Sequence, residues 1–223
     1  MEAAALLRLL QLTSPALPIG GFAFSQGLES AVTLGHVTDE PTSERWLLGA
    51  LQFGQTRLDL PVFFRLHAAF AAGDGARVES WCHYLLASRE GEERQLEDMH
   101  VGRALARLLS DQGVTRAEAY RSSDVVTHVA MFALAAVSFG IAPKTAALGF
   151  VFSWLENQVG ALSRLVPLGQ LAAQRVLARV AREIPASLDA ALRTPDADIG
   201  ACMPGAAIAS ALHETQYCRL FKS

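Results

Sequence analysis

The stretch Val125-Val-Thr-His-Val-Ala-Met-Phe-Ala-Leu-Ala-Ala-Val-Ser-Phe-Gly-Ile-Ala142 decides the fold of this chain. Its eighteen residues are apolar apart from four small or weakly polar interruptions. A helix that is apolar on every side is typical of the centre of a large helical protein. A membrane span needs about 20 apolar residues and favours basic flanks, whereas this run is shorter and follows Asp124. We interpret 125–142 as a buried core helix, with a membrane anchor as the alternative.

Helical periodicity continues on both sides of this core segment, and no run alternates like a strand or carries a hairpin signal. The sequence therefore predicts an all-α fold, a single globular domain of about ten helices over residues 1–223. Within it we expect an irregular segment at 185–204, which is rich in proline, and a C-terminal docking tail at 213–223. Beyond a first apolar stripe at 6–10 and the core segment, the helices are expected near 22–34, 41–51, 61–70, 76–88, 92–110, 143–165, 168–183 and 204–214.

Local signals predict where several of these helices begin and end. Gly35 is expected to stop the helix at 22–34, because glycine is favoured just after a helix C-terminus. Asp39 is a suitable N-cap for the next helix, and Asp59 for a separate helix with Pro61 in its first turn. Ser123 or Asp124 is expected to start the core helix.

The composition limits the function classes. Hydrophobic residues make up 51% of the chain and charged residues 18%, which indicates a folded domain with a sizeable core. A net charge of −3 argues against a general nucleic-acid surface. Three cysteines without paired spacing indicate a reducing compartment, and no signal peptide follows Met1. We expect a cytoplasmic protein that binds no nucleic acid.

Residues 14–29, Ser-Pro-Ala-Leu-Pro-Ile-Gly-Gly-Phe-Ala-Phe-Ser-Gln-Gly-Leu-Glu, carry the most unusual local chemistry; we call them the N-terminal corner. Pro15 and Pro18 cannot continue a helix, because each fixes φ and lacks an N–H donor. Gly20 and Gly21 allow backbone angles or close approaches that a side chain forbids. The pattern predicts a stiff, shaped corner with a new helix after it.

Signatures of common enzymes are absent from the sequence. Neither a phosphate-binding loop nor a dinucleotide fingerprint is present. Ala23-Phe-Ser-Gln-Gly27 comes within one residue of a nucleophile elbow, but that elbow requires a preceding strand. A helix-capping or packing role for Ser25 is therefore favoured. The competing hypothesis is a small helical hydrolase that uses Ser25 with His213.

Metal chemistry is equally thin. The six histidines and three cysteines show no spacing typical of a structural or catalytic metal site. His213 and Cys218 are a loose pair near the C-terminus that could hold a borderline metal weakly and in transit. We expect no tightly bound cofactor.

Three further segments have two interpretations each. Residues 88–98 place Arg89 four positions before Glu93, and Glu90 four before Arg94, which suits either a solvated helix face or a partner-binding patch. The amides of 154–158 and 167–170 lock a kink at Pro167 or contact a partner. The tail 213–223 combines apolar and basic side chains, so it packs on its own domain or docks on another protein.

These segments, in this order, resemble the urease accessory protein UreF family. The resemblance rests on Leu12–Glu29, Ser88–Arg94, Trp154–Gln158, Pro167–Gln170 and His213–Ser223, and it spans essentially the whole chain. Phe24, Cys218 and Lys222 depart from the pattern, where Tyr, Ser and Arg are expected. None of the three disturbs the resemblance, and Cys218 adds a soft ligand.

The resemblance implies a dimer-forming protein without catalytic activity. Such proteins bridge the accessory protein UreD, also called UreH, and the nickel-carrying GTPase UreG, and the complex delivers nickel to apo-urease. GTP would be bound by that partner, and nickel handled by the complex. The partner-binding residues that follow from the shared segments are Pro18, Gly20, Gly21, Ser25, Gln26, Arg89, Glu90, Arg94, Gln170, His213, Glu214, Gln216, Tyr217, Arg219, Phe221 and Lys222.

Overall fold

A computed structural model describes residues 2–200 and 203–222 of the chain. These residues form α-helices and no strand, which confirms the all-α prediction. A π-helical segment, Ala50–Asp59, joins α3 to α4 without a break, so the described chain has ten separate helical rods. The α-helices are α1 Ala3–Thr13, α2 Leu28–Thr33, α3 Glu40–Gly49, α4 Leu60–Ala72, α5 Gly75–Ala87, α6 Glu92–Asp111, α7 His128–Ser138, α8 Pro143–Leu165, α9 Gln170–Ala181, α10 Ile184–Arg193 and α11 Pro204–Glu214.

Helix α7 occupies the centre of the molecule. It is buried along most of its length and packs against α4, α6 and α8. The core-helix interpretation of 125–142 is confirmed, and among the described residues no helix has the length and apolarity that a bilayer crossing demands. The helix begins later than expected, because Thr127 rather than Ser123 or Asp124 caps it by accepting from the N–H of Ala130.

Helix α6 crosses the start of α7 at very short range. A Cβ atom built on Gly102 would lie 2.8 Å from the carbonyl carbon of Thr127 and 3.1 Å from the amide nitrogen of His128. Only glycine permits this approach of two backbones. The contact places α6, which carries two of the four buried acidic residues, Glu97 and Asp98, directly beside the core helix.

The predicted break at Asp59 is wrong. Asp59 has helical backbone angles and caps nothing, and the chain passes from α3 through the π-helical segment into α4. Pro61 is still accommodated, since it lies in the first turn of α4, where its missing donor costs little. The carboxylate of Asp59 instead accepts from the guanidinium of Arg89. The Asp39 cap of α3 and the stop at Gly35 are as predicted.

The helix expected at 22–34 is much shorter. A single 3-10 turn covers Gly21–Ala23, and α2 begins only at Leu28. Gln26 and Gly27 lie between them in the left-handed region, with φ of 59° and 79°. A regular helix cannot pass through two such residues. The N-terminal corner is therefore longer than the two prolines alone require.

The segment expected to be irregular at 185–204 begins with a regular helix, α10, in which Pro185 occupies the first turn. Proline is favoured at that position, so the proline-rich composition did not indicate a loop there. A short 3-10 turn at Asp196–Asp198 follows. Residues 201 and 202, and with them Cys202, lie outside the described residues.

Candidate functional site

The N-terminal corner is fastened to α6 and α8 through the side chain of Gln26. Its amide nitrogen donates to Glu97 at 2.7 Å, and its amide oxygen accepts from the indole of Trp154 at 2.9 Å. Asn157, one turn further along α8, donates to the carbonyl of Gly21 at 3.1 Å. Within 154–158, Trp154 and Asn157 therefore hold the N-terminal corner rather than a kink at Pro167, whereas Gln158 lines a different cavity.

Gln26 is the only non-glycine residue with positive φ in the described part of the chain. A left-handed backbone at such a residue is strained by about 1–3 kcal/mol and persists only where surrounding contacts hold it. Here the side-chain bonds to Glu97 and Trp154 supply those contacts. The corner is consequently a fixed surface, built by side chains that are distant in sequence.

Arg89 lies at the centre of a buried ion cluster. Its guanidinium donates to Asp59 at 2.5 Å and to Asp98 at 2.7 Å and 2.9 Å. All three side chains are less than one-tenth exposed. Burial lowers the pKa of Arg89, but the two carboxylates outweigh it and raise the pKa above its ordinary value. The cluster ties the end of the π-helical segment and α6 to the loop before α6.

Asp98 also orients the core helix, because its second oxygen accepts from the N–H of His128 at 2.7 Å. Burial lowers the pKa of the His128 side chain, and the nearby charge of Asp98 opposes this only in part. A cavity of about 100 Å³ separates this cluster from the N-terminal corner; we call it the corner cavity. Its walls are apolar on the α1 and α8 side and charged at Arg89, Asp98 and Glu97.

The charged run at 88–98 does not form the two pairs that its spacing predicted. Gly91 lies just before α6 with φ and ψ both at +150°, a positive-φ conformation that favours glycine, so Arg89 and Glu90 are not on the helix. Arg89 points inward and Glu90 is exposed, while Arg94 pairs with Glu97. Glu93 faces the C-terminal tail. The run is therefore neither a solvated helix face nor, at Arg89, an exposed patch.

The C-terminal tail packs on its own domain through Glu29 of α2. One carboxylate oxygen accepts from the N–H of Leu220 at 2.7 Å, and the other from the N–H of Phe221 at 2.9 Å. The N–H of Lys222 donates to the carbonyl of Ala23 in the N-terminal corner at 2.7 Å. Phe221 is buried, and Arg164 stacks over its ring. The C-terminal tail is thus joined to the N-terminal corner at this place.

His213 is fully buried between two carboxylates. Its Nδ1 lies 2.9 Å from Glu93 and its Nε2 lies 3.1 Å from Glu29, and Arg219 pairs with the other oxygen of Glu93. Both ring nitrogens of His213 are hydrogen-bonded to carboxylates. His213 is therefore not placed to act as the base that a hydrolase using Ser25 requires. Ser25 itself is buried and accepts from the N–H of Glu29 in the first turn of α2, as expected for a capping residue.

The weak nickel pair predicted at His213 and Cys218 remains a prediction. Cys218 is exposed, whereas His213 is enclosed by its two carboxylate partners. Among the described residues no group of three or more histidine, cysteine or acidic side chains is arranged to hold a metal ion.

The structure divides the predicted partner-binding residues into three groups. Ser25, Arg89, His213 and Phe221 hold the chain together internally, while Gly21, Gln26, Arg94 and Gln216 are half-buried. The exposed group comprises Pro18, Gly20, Glu90, Gln170, Glu214, Tyr217, Arg219 and Lys222. The exposed group is the most accessible to a partner, and the partner roles of all sixteen stay predictions.

Sequence reasoning missed the acidic residues on which these arrangements depend. Glu29, Asp59, Glu93, Glu97 and Asp98 are acidic residues, yet their side chains lie in the interior or face it. Buried carboxylates need partners, so an acidic residue at an apolar helical position is a usable signal. Asp98 and Val101 share a helix face with Leu105, and this spacing marks Asp98 as inward-facing.

Replacing Glu29 by glutamine is expected to loosen the tail. Burial raises the pKa of Glu29, but the donors of Leu220, Phe221 and His213 outweigh it and lower the pKa below its ordinary value of 4.5. The folded pKa is the lower one, so this stabilisation is complete above pH 4.5 and is lost as the pH falls through the folded pKa. Hydrogen exchange at the amides of Leu220 and Phe221 should quicken about tenfold or more in Glu29→Gln.

The matched control is Glu92→Gln, which removes an exposed carboxylate at the start of α6. Its tail amides should exchange as in the unaltered protein. In the unaltered protein, the free energy of opening the tail should fall as the pH drops below 4.5. The exchange rates are first corrected for the intrinsic pH dependence of exchange. Unchanged protection of both amides in Glu29→Gln would contradict the role assigned to Glu29.

The fold and these contacts define an all-α protein in which buried polar side chains fix an N-terminal corner and a C-terminal tail beside each other. A family model described as UreF matches residues 37–181. The urease accessory protein UreF of Hahella chejuensis is 44% identical over 225 residues, covering 100% of both chains. The chain belongs to the UreF family of urease accessory proteins.

Two further relatives support the same assignment. The urease accessory protein UreF of Chromohalobacter salexigens is 47% identical, over 98% of this chain and 95% of its own. That of Klebsiella pneumoniae subsp. pneumoniae is 46% identical over 97% of each chain. The family model stops before α10 and begins after the N-terminal corner, whereas these alignments include both ends.

Proposed function

We propose that this protein acts in urease maturation as a non-enzymatic scaffold. It bridges the UreD/UreH accessory protein and the nickel-carrying GTPase UreG, and it couples GTP turnover to nickel insertion into apo-urease. The observation that carries the proposal is the 44–47% identity with three urease accessory proteins over at least 95% of each chain.

The exposed chemistry of the tail and α11 supports a docking role. Tyr217 is fully exposed and Leu220 is 61% exposed, although Phe221 beside it is buried. On α11, Ile208 and Leu212 are also exposed. Aromatic, aliphatic and arginine side chains on a backbone that is already held in place are suited to act as interface anchors, because little ordering is needed on binding.

In this proposal the protein is a cytoplasmic homodimer with no tightly bound cofactor. GTP is bound by UreG, nickel is cargo of the complex, and neither nucleic acid nor a membrane takes part. The absence of a phosphate-binding loop from the sequence is in keeping with a nucleotide site on the partner.

The double variant Tyr217→Ala/Leu220→Ala is expected to recover at least one of the two accessory partners about tenfold less well in co-purification. Both side chains point into solvent, so the fold should be unaffected. Leu7→Ala is the matched control, since Leu7 is 67% exposed but lies on α1. Undiminished recovery of both partners, at protein concentrations near the Kd, would remove the tail from the interface.

GTP turnover by UreG, measured with and without this protein in the presence of UreD/UreH, tests the coupling step. A change in the turnover rate in either direction supports coupling. An unchanged rate, in a complex shown to be assembled, would leave a purely positioning role and contradict the coupling.

A further inference from the structure

A second cavity lies on the other side of the Arg89 cluster, between α3, the π-helical segment, α8 and α11; we call it the amide cavity. Its volume is about 100 Å³. The indoles of Trp46 and Trp154 line it, together with small residues such as Gly54 and Ala207. Two flat aromatic walls and small neighbouring side chains leave room for a compact ligand.

Three side chains that line this cavity carry buried polar atoms without a hydrogen-bond partner among the described residues. They are the amide oxygen of Gln55, the amide nitrogen of Gln158 and the hydroxyl of Ser210. The three residues are 7%, 2% and 4% exposed. Buried polar groups are normally paired, and each that is not costs stability. Three around a single cavity therefore point to a bound molecule.

The unmet hydrogen bonds specify the chemistry of that molecule. The Gln55 oxygen accepts, the Gln158 nitrogen donates, and the Ser210 hydroxyl does either. Among the charged residues on the wall, Arg89 pairs with Asp59 and Arg94 pairs with Glu97. The fourth, Glu90, is exposed, so its carboxylate is solvated rather than buried in the cavity. The remaining demand is for a neutral molecule that both donates and accepts, and the tryptophan walls favour a planar one.

We infer that the amide cavity binds a small, planar, neutral molecule with N–H donors and a carbonyl acceptor, in the class of primary amides and urea. The carbonyl accepts from Gln158, an N–H donates to Gln55, and Ser210 completes the site. A molecule of four heavy atoms makes few contacts, so the Kd is expected in the millimolar range. The inference does not depend on the proposed function.

The experiment uses the full chain with 15N-labelled tryptophan side chains, titrated separately with acetamide, urea and N,N-dimethylacetamide. Acetamide and urea should produce saturable shifts of the Trp46 and Trp154 indole signals. Dimethylacetamide, which lacks N–H donors, should bind at least about tenfold more weakly, because the Gln55 oxygen stays unpaired. Equal responses to acetamide and dimethylacetamide would overturn the inference, as would shifts that never saturate.

Gln158→Met keeps the length of the side chain but removes its amide, and it should weaken acetamide binding about tenfold. Gln174→Met is the matched control, since Gln174 is exposed on α9. Ser210→Ala provides a second variant if Gln158→Met does not fold, with the same direction of effect. Unchanged binding in the folded variants, or ordered water only in a crystal soaked with acetamide, would overturn the inference.

Discussion

Replacing Gly102 by alanine is expected to destabilise the protein by about 3 kcal/mol or more. The added Cβ would lie 2.8 Å from the carbonyl carbon of Thr127, a distance that real Cβ atoms essentially never show. The obstructing atoms are backbone, so no side-chain rotation relieves the clash. Helices α6 and α7 must separate, and the bond from His128 to Asp98 is lost with them. Denaturant unfolding of the purified variant measures the loss.

Gly160→Ala is the control for this prediction. Gly160 is an exposed residue of α8, and a Cβ there meets no atom within 4 Å. Alanine is the better helix former by about 1 kcal/mol, so this variant should be as stable as the unaltered protein or slightly more so. A glycine-to-alanine substitution is thus expected to lower the free energy of unfolding in α6 and to leave it unchanged or raise it slightly in α8. Equal stability of Gly102→Ala and the unaltered protein would show that the helices do not approach as described.

Replacing Arg89 by methionine is expected to cost about 3–5 kcal/mol, because it leaves two buried carboxylates without their cation. Asp59 and Asp98 are each about 6% exposed at the side chain and share a single guanidinium. Methionine fills similar space, so the loss arises from charge rather than from a cavity. The loss is read from the free energy of unfolding in denaturant near neutral pH.

Two comparisons sharpen this second prediction. Adding Asp59→Asn to Arg89→Met removes one of the unpaired charges and should recover part of the loss. Arg121→Met removes an arginine whose ion pairs are exposed, and it should change stability far less. If Arg89→Met were no less stable than Arg121→Met, Arg89 would not be the cation that the buried carboxylates of Asp59 and Asp98 require.

The limits of helix α8 could be predicted closely from the sequence. Helix α8 runs from Pro143 to Leu165, the limits that the flanking Gly140 and Pro167 suggest. The burial of α7 also follows from composition alone, since no face of that segment is polar. These features depend on residues within one turn of each other, and local rules describe such neighbours well.

The contacts of the candidate site could not be predicted in the same way. Asp59 followed by a proline has every local mark of an N-cap, yet its carboxylate binds Arg89, thirty positions away. Spacing pairs Arg89 with Glu93, but Glu93 contacts His213 and Arg219 instead. Spacing in a single sequence can predict pairs only between residues that are close along the chain. A buried charge, however, is satisfied by whichever partner the fold brings to it.

The π-helical segment Ala50–Asp59 lets one continuous rod serve two sets of neighbours. Helix α3 faces α9, while α4, after the wider turns, faces α5 and α7. Removing one residue from an α-helical path turns everything beyond it by about 100°. A deletion between Gly49 and Leu60 would therefore rotate α4 away from the core or carry Asp59 away from Arg89. Along this stretch an exposed side chain can be exchanged without disturbing the rod, whereas a change in the number of residues alters the direction of everything that follows.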